Sequence, residues 1–233
     1  MATGTLDGSA TPYVIASGSV ITEQAGDALL LLGSIANAGT IALAATGADA
    51  PGPPSTTTLA ALVVASPTVT LGGTGVVSLV DMGIDVIYGG IPGTTLVNAG
   101  NTIEGAGNIG IPQTAAFANG GTAYPFTFIN AAGGVVDGIG TGITALPGGG
   151  FSFFNELVLS AATLDNAGLL EGTGQGGLVI SADTFDNAGG TILALGAGNG
   201  VGVDASVNGG LIEAASGGVV DLVGSFMAVG TAE

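Results

Sequence analysis

The chain has 233 residues, 47% of them apolar and only 7% charged, carries a net charge of −17, and contains no lysine, arginine, histidine or cysteine. These figures exclude high-charge disorder, disulfides and thiolate chemistry, and binding to nucleic acid or anionic membrane surfaces, which requires cationic side chains. Glycine supplies 46 residues without a Gly-X-Y period, so collagen is excluded and many short strands joined by glycine turns are expected.

Residues 1–13 read as an extended N-terminal segment, free to add as a strand to a sheet edge. They lack the basic start and apolar core of a secretory leader. From 14 to 233 the chain reads as one repeat domain. Its mean hydropathy is +0.70, yet the cluster ALLLL at 28–32 is far shorter than the ~20 residues of a spanning helix. No Trp and three Tyr leave no aromatic girdles for a membrane barrel, so no membrane insertion is expected. The phrase IANAGTIAL then introduces Asn37, and ADAPGPPSTTT at 48–58 reads as an inserted, exposed loop. LVNAGNTIEG carries Asn98, and FINAAGGVVDG carries Asn130. Around the latter lie two further insertions, 110–128 and 142–154. Three near copies follow, TLDNAGLLEG, TFDNAGGTILAL and SVNGGLIEAA, with Asn166, Asn187 and Asn208.

The spacing of these asparagines sets the expected architecture. Asn166 to Asn187 and Asn187 to Asn208 are each 21 residues, while Asn98 to Asn130 is 32 and Asn130 to Asn166 is 36. A unit of this size, repeated, signals a solenoid, propeller or array. Glycines interrupt every apolar run within a few residues, which disfavours helices. Short β-branched segments such as VIAS, LVI, TIL and VVDL remain. The expected fold is therefore all-β: a single-stranded parallel β-helix or solenoid of ~21-residue coils with inserted loops, in which backbone groups pair about 4.8 Å above and below. Ile103, Leu170, Ile192 and Ile212 are expected to stack inside it. Asn37, Asn98, Asn130, Asn166, Asn187 and Asn208 would form a structural amide ladder at one corner, and the glycines after them would supply positive φ.

LDNAGLLEG and FDNAGGTILALG resemble the repeats of filamentous-haemagglutinin-like and autotransporter-like bacterial surface proteins. The likeness covers 163–222 well, 96–105 and 128–139 fairly, and little before 96. It implies a right-handed parallel β-helix and an extracellular or cell-surface location, with the export route left open.

The departures from the period hold the candidate sites. Six of the eight phenylalanines lie in the two insertions: Phe117, Phe126, Phe128, Phe151, Phe153 and Phe154. With Tyr124 they are candidate contact residues, since projecting loops carry function and aromatics anchor interfaces; alternatively they fold back over the domain's own face. After four of the turns comes a carboxylate, Glu104, Asp137, Glu171 and Glu213, while the Asn187 rung has Ala or Leu there. Such a column is either a solvated acidic face or one bridged by a cation, and oxygen-only ligands favour Ca²⁺. Asp204 joins these candidates through NGVGVDASV at 199–207, a single imperfect copy of a calcium nonapeptide. No cofactor is required. Threonine ladders of the Thr-x-Thr kind are not evident, and STTT at 55–58 stands alone.

Nucleophile–base dyads and zinc sites lack their basic or thiol partners, so no enzyme is expected; a two-carboxylate glycosidase is the one conceivable exception. The expected function is that of a structural protein of a bacterial surface whose partners are copies of itself, joined into a filament or layer. The alternative is an adhesin segment whose aromatic loops bind a glycan or a neighbouring surface protein.

Overall fold

The computed structural model describes residues 3–44, 59–81, 84–111, 115–116, 122–142, 155–223 and 229–232. Every regular element among them is a strand. In chain order the first eight are β1 (Thr3–Ile15), β2 (Val20–Gln24), β3 (Ala28–Asn37), β4 (Thr40–Ala44), β5 (Ala61–Gly72), β6 (Val76–Leu79), β7 (Asp85–Gly89) and β8 (Thr95–Ala99). Then come β9 (Thr102–Gly105), β10 (Gly107–Ile109), β11 (Ala115–Ala116), β12 (Thr122–Ala123), β13 (Thr127–Asn130), β14 (Val135–Gly138) and β15 (Leu157–Asn166). The last are β16 (Leu169–Gly172), β17 (Leu178–Asp186), β18 (Thr191–Leu195), β19 (Gly200–Asp204), β20 (Val207–Ala215), β21 (Val219–Leu222) and β22 (Val229–Ala232).

All but β11 and β12 join one sheet, and its pairings are parallel throughout and fall into three ladders. One runs β1–β3–β5–β7–β10–β15–β17–β19–β21. A second starts from the later halves of β1, β3 and β5 and continues β8–β13–β15–β17–β20–β22. The third runs β2–β4–β6–β9–β14–β16–β18–β20–β22.

This arrangement corrects the expected single-stranded β-helix of uniform ~21-residue coils. Several strands belong to two ladders, and among them β5 and β15 join the first ladder to the second on either side of β7, β10, β8 and β13. The pairings β5–β7–β10–β15–β13–β8–β5 therefore close a six-strand parallel ring, with the remaining strands outside it. Nor is the period constant: the register partners Thr68, Thr95, Thr127, Thr163 and Thr184 lie 27, 32, 36 and 21 residues apart. The physical reason is the lack of a turn residue inside β15, where Ser160-Ala161-Ala162 carries the backbone across the corner without ending the strand. The first 13 residues are expected from the sequence to be extended. From Thr3 onward they are strand β1, paired with β3 over Thr3–Gly8 and again from Tyr13.

Period-two alternation sends one set of side chains inward along every strand. Leu29, Leu62, Ile87, Ile109, Leu159, Ile180 and Val203 form one buried column by direct register. Ile41, Val77, Ile103, Val136, Leu170 and Ile192 form another, which holds the three buried members of the expected stack. The third consists of Val69, Leu96, Phe128, Leu164, Phe185 and Val207. Each such side chain contributes roughly 1.5–3 kcal/mol relative to exposure, and together they make one continuous core.

Candidate functional site

The asparagine corner is a chain of buried amides over four residues. Asn98 Nδ2 donates to Asn130 Oδ1 at 3.0 Å, Asn130 to Asn166 at 2.9 Å, and Asn166 to Asn187 at 2.7 Å. Each amide also reaches backbone carbonyls of the turn, as Asn130 Nδ2 does to Gly134 O (3.2 Å) and Leu169 O (3.1 Å). The glycines after each Asn divide the labour. Gly133 and Gly189 take φ of 93° and 83° with open space where a Cβ would stand. The next glycine along leaves room for the amide itself: a Cβ on Gly190 would sit 2.7 Å from Asn187 Oδ1, and one on Gly168 2.7 Å from Asn130 Nδ2. Only the first role was expected.

Two expected members stand outside this ladder. Asn208 pairs in register with Asp186, one residue short of Asn187, and is exposed. Asn37 is displaced because Ile35 aligns with Leu71 and Leu71 with Asn98. Its Nδ2 donates instead to Asn101 Oδ1 at 2.7 Å, and Asn101 Nδ2 donates to Gly72 O at 2.9 Å. Asn101, unremarked in the sequence, fills the corner of a rung whose own turn, Gly72-Gly73, has no amide.

The carboxylates Glu104, Asp137 and Glu171 are direct register partners on the outward face of the third ladder. Thr173 N and Oγ1 donate to Asp137 at 3.2 and 2.9 Å. Burial raises the pKa of all three, and the charge of Asp137 adds to the rise at Glu104 and Glu171. Leu193 separates Glu171 from Glu213 in the column, and Asp204 lies on a different ladder, beside Ser181. Among the described residues no group of three or more acids converges as a metal site. The acids are aligned along a face rather than gathered around a point.

The described part of the 110–128 insertion folds back. β11 and β12 pair as a short antiparallel hairpin, and Tyr124 N donates to Gly89 O at 2.9 Å. Ala123 packs with Ala61, Val63, Val86 and Tyr88 on the outer face of β5 and β7. Phe126 and Phe128, expected as contact residues, are buried in the core instead, edge to face with centroids 6.4 Å apart. The alternation of β13 turns Phe128 inward, and Tyr124 is half-buried. Phe117, Phe151, Phe153, Phe154 and the loop at 48–58 lie outside the described residues.

The structure also aligns a threonine column that the sequence conceals, Thr68–Thr95–Thr127–Thr163–Thr184, on the outward face of the second ladder. Thr184 Oγ1 meets Thr163 Oγ1 at 3.1 Å. Unequal spacing along the chain hides this alignment.

The two ends of the sheet are the remaining feature. Among the described residues β1 and β2 pair on one side only, with β3 and β4, and β21 and β22 pair only with β19 and β20. Most exposed large apolar side chains gather there: Tyr13, Val14 (70% exposed) and Val20 at the first end, and Val219 (59%), Leu222 and Val223 at the last. Both ends carry all three ladders. Compared with family models, with curated proteins and with solved structures, the chain matches none. No helix of the described residues is long and apolar enough to cross a membrane.

Proposed function

We propose that this is a non-enzymatic structural protein whose copies add end to end into a filament or layer. The observation that carries the reading is that, among the described residues, the first and last rungs each pair on one side only. Each presents unpaired strand backbone, a ready template for another strand, together with exposed valine and leucine side chains that gain by burial. Because the sheet is parallel and its three ladders reach both ends, the last rung of one copy offers the first rung of the next the same pairing used inside the chain. Such a contact is heterologous and does not close, which produces fibres. A bacterial surface as the setting rests on the wording of the repeats.

Catalysis has little to work with. The chain lacks every basic and thiol side chain, and the stacked acids share one face, whereas a glycosidase needs two carboxyls flanking the scissile bond.

Electron microscopy and sedimentation of the purified protein from pH 7 to pH 4.5 test the reading. Unbranched fibres with an axial repeat of about 4.8 Å are expected, and Leu222→Asp should prevent them. Monodisperse monomers at every pH and concentration would overturn it.

A further inference from the structure

Each asparagine of the corner ladder is followed by alanine: Asn98, Asn130, Asn166 and Asn187 precede Ala99, Ala131, Ala167 and Ala188. Three asparagines of the chain, Asn119, Asn199 and Asn208, are followed by glycine instead, and Asn119 lies outside the described residues. An Asn-Gly bond is open to attack by the main chain on the side-chain amide, because glycine has no Cβ to restrict the approach of its nitrogen. The fold treats the two described pairs differently.

Asn208 is exposed, whereas the four ladder asparagines are at most 2% exposed. Its side-chain hydrogen bond among the described residues is long, Nδ2 to Asp186 Oδ1 at 3.5 Å. Beyond it the backbone leaves the ladder. Register holds at Asn208 and resumes at Leu211, while Gly209 and Gly210 between them take φ of 76° and 73°. Asn199 is held on both counts. Its Nδ2 donates to Thr173 O and to Leu195 O, the latter at 2.7 Å, and its carbonyl accepts Val219 N at 3.0 Å. Gly200 after it is in register with Val219, inside β19.

We propose that Asn208 is a self-modifying site, deamidated in the folded protein to aspartate or isoaspartate, while Asn199 is protected. The Gly209 nitrogen gives up its proton and attacks Asn208 Cγ. A C–N bond forms there as the Cγ–Nδ2 bond breaks, and Nδ2 leaves as ammonia, carrying the Gly209 proton. Water then opens the cyclic imide, at Cγ to give aspartate or at the main-chain carbonyl of residue 208 to give isoaspartate. Solvent is the one co-reactant, and nothing is oxidised or reduced. The attack requires Cγ to swing over the following nitrogen, a near-attack geometry that a clamped amide in a regular strand does not reach. A loosely held amide before a two-glycine bulge does. The product changes the surface of the second ladder. Asp165, Asp186 and Asn208 are successive register partners on its outward face, so conversion makes three carboxylates in a row, about 4.8 Å from rung to rung. The chain holds no side-chain cation to offset them. Asn208 is thus a slow, irreversible source of negative charge.

The test ages the full chain at mildly alkaline pH, folded and in parallel unfolded in urea, and then cleaves both samples briefly after glutamate. No glutamate lies between Glu171 and Glu213, so residues 172–213 leave as one peptide that holds Asn187, Asn199 and Asn208 and excludes Asn119. Fragmentation in the mass spectrometer then places each amide-to-acid change and marks isoaspartate. In the folded sample Asn208 should convert faster than Asn199 by about tenfold or more, and Asn187 should stay an amide. In urea the two Asn-Gly pairs should convert at similar rates. Asn208→Ser, aged folded, should lack the acidic form of this peptide. An Asn208 that stays an amide in the folded sample, whether or not urea converts it, would overturn the proposal. Equal folded rates at Asn199 and Asn208 would overturn it too.

Discussion

Asn166 shows how one side chain serves two rungs. Its Oδ1 receives the amide of Asn130 and its Nδ2 donates to Asn187, so removing it takes a partner from each of two buried amides. A buried polar group left without a partner costs about 1–3 kcal/mol. Asn166→Ala should therefore destabilise by roughly 2–5 kcal/mol in urea unfolding. Asn208→Ala, exposed and outside the ladder, should stay within about 0.5 kcal/mol of wild type. A second pair separates the two glycine roles. Gly190→Ala drives a methyl into the amides of Asn166 and Asn187, whereas Gly189→Ala meets only the left-handed backbone penalty of roughly 1–2 kcal/mol. The former should be the worse by melting temperature, and the reverse order would refute the space-making role. The asparagines of the ladder were legible because Asn-Ala/Gly-Gly recurs with little competition. Asn37, Asn101 and Asn208 were not, because a register slip of one or two residues leaves no mark in the local phrase.

Among the elements, the third ladder carries an outward acidic strip whose members are costly to ionise in the fold. Glu104, Asp137 and Glu171 all have folded-state pKa values raised above their ordinary ones, with burial as the leading cause. In that case the folded protein holds more protons than the unfolded chain just above the usual carboxylate range, so stability falls as pH rises through the folded-state pKa values. The melting temperature should be higher near pH 5 than at pH 7, opposite to ordinary acid denaturation. Glu171→Gln should raise it at pH 7 and do so less as the pH is lowered. A melting temperature that falls steadily from pH 7 to pH 5, with Glu171→Gln neutral throughout, would contradict this. The acids of this strip were readable from their place after each turn. The merging of strands within β5 and β15 was not, since Ser160-Ala161-Ala162 carries no turn residue to mark the bend and Ser66-Pro67 reads as the end of a strand rather than its continuation. That hidden continuity is what closes the six-strand ring.

For the whole molecule, the repeated strand pattern and the apolar interior followed from composition and periodicity alone. Closure of the ring and the alignment of the threonines did not, because both depend on which distant segments share a rung. Among the described residues the pairing that builds the interior is left unsatisfied at β1–β2 and at β21–β22, and the proposed end-to-end association would bury the exposed apolar side chains found there. A net charge of −17 would oppose such association at neutral pH through self-repulsion. Cryo-electron microscopy of the protein assembled at pH 4.5 examines this most directly. The account predicts parallel strands continuing across the junction, with Leu222 of one copy seated against Gly4 of the next. Side-by-side or antiparallel packing of copies, with both ends left open, would contradict it.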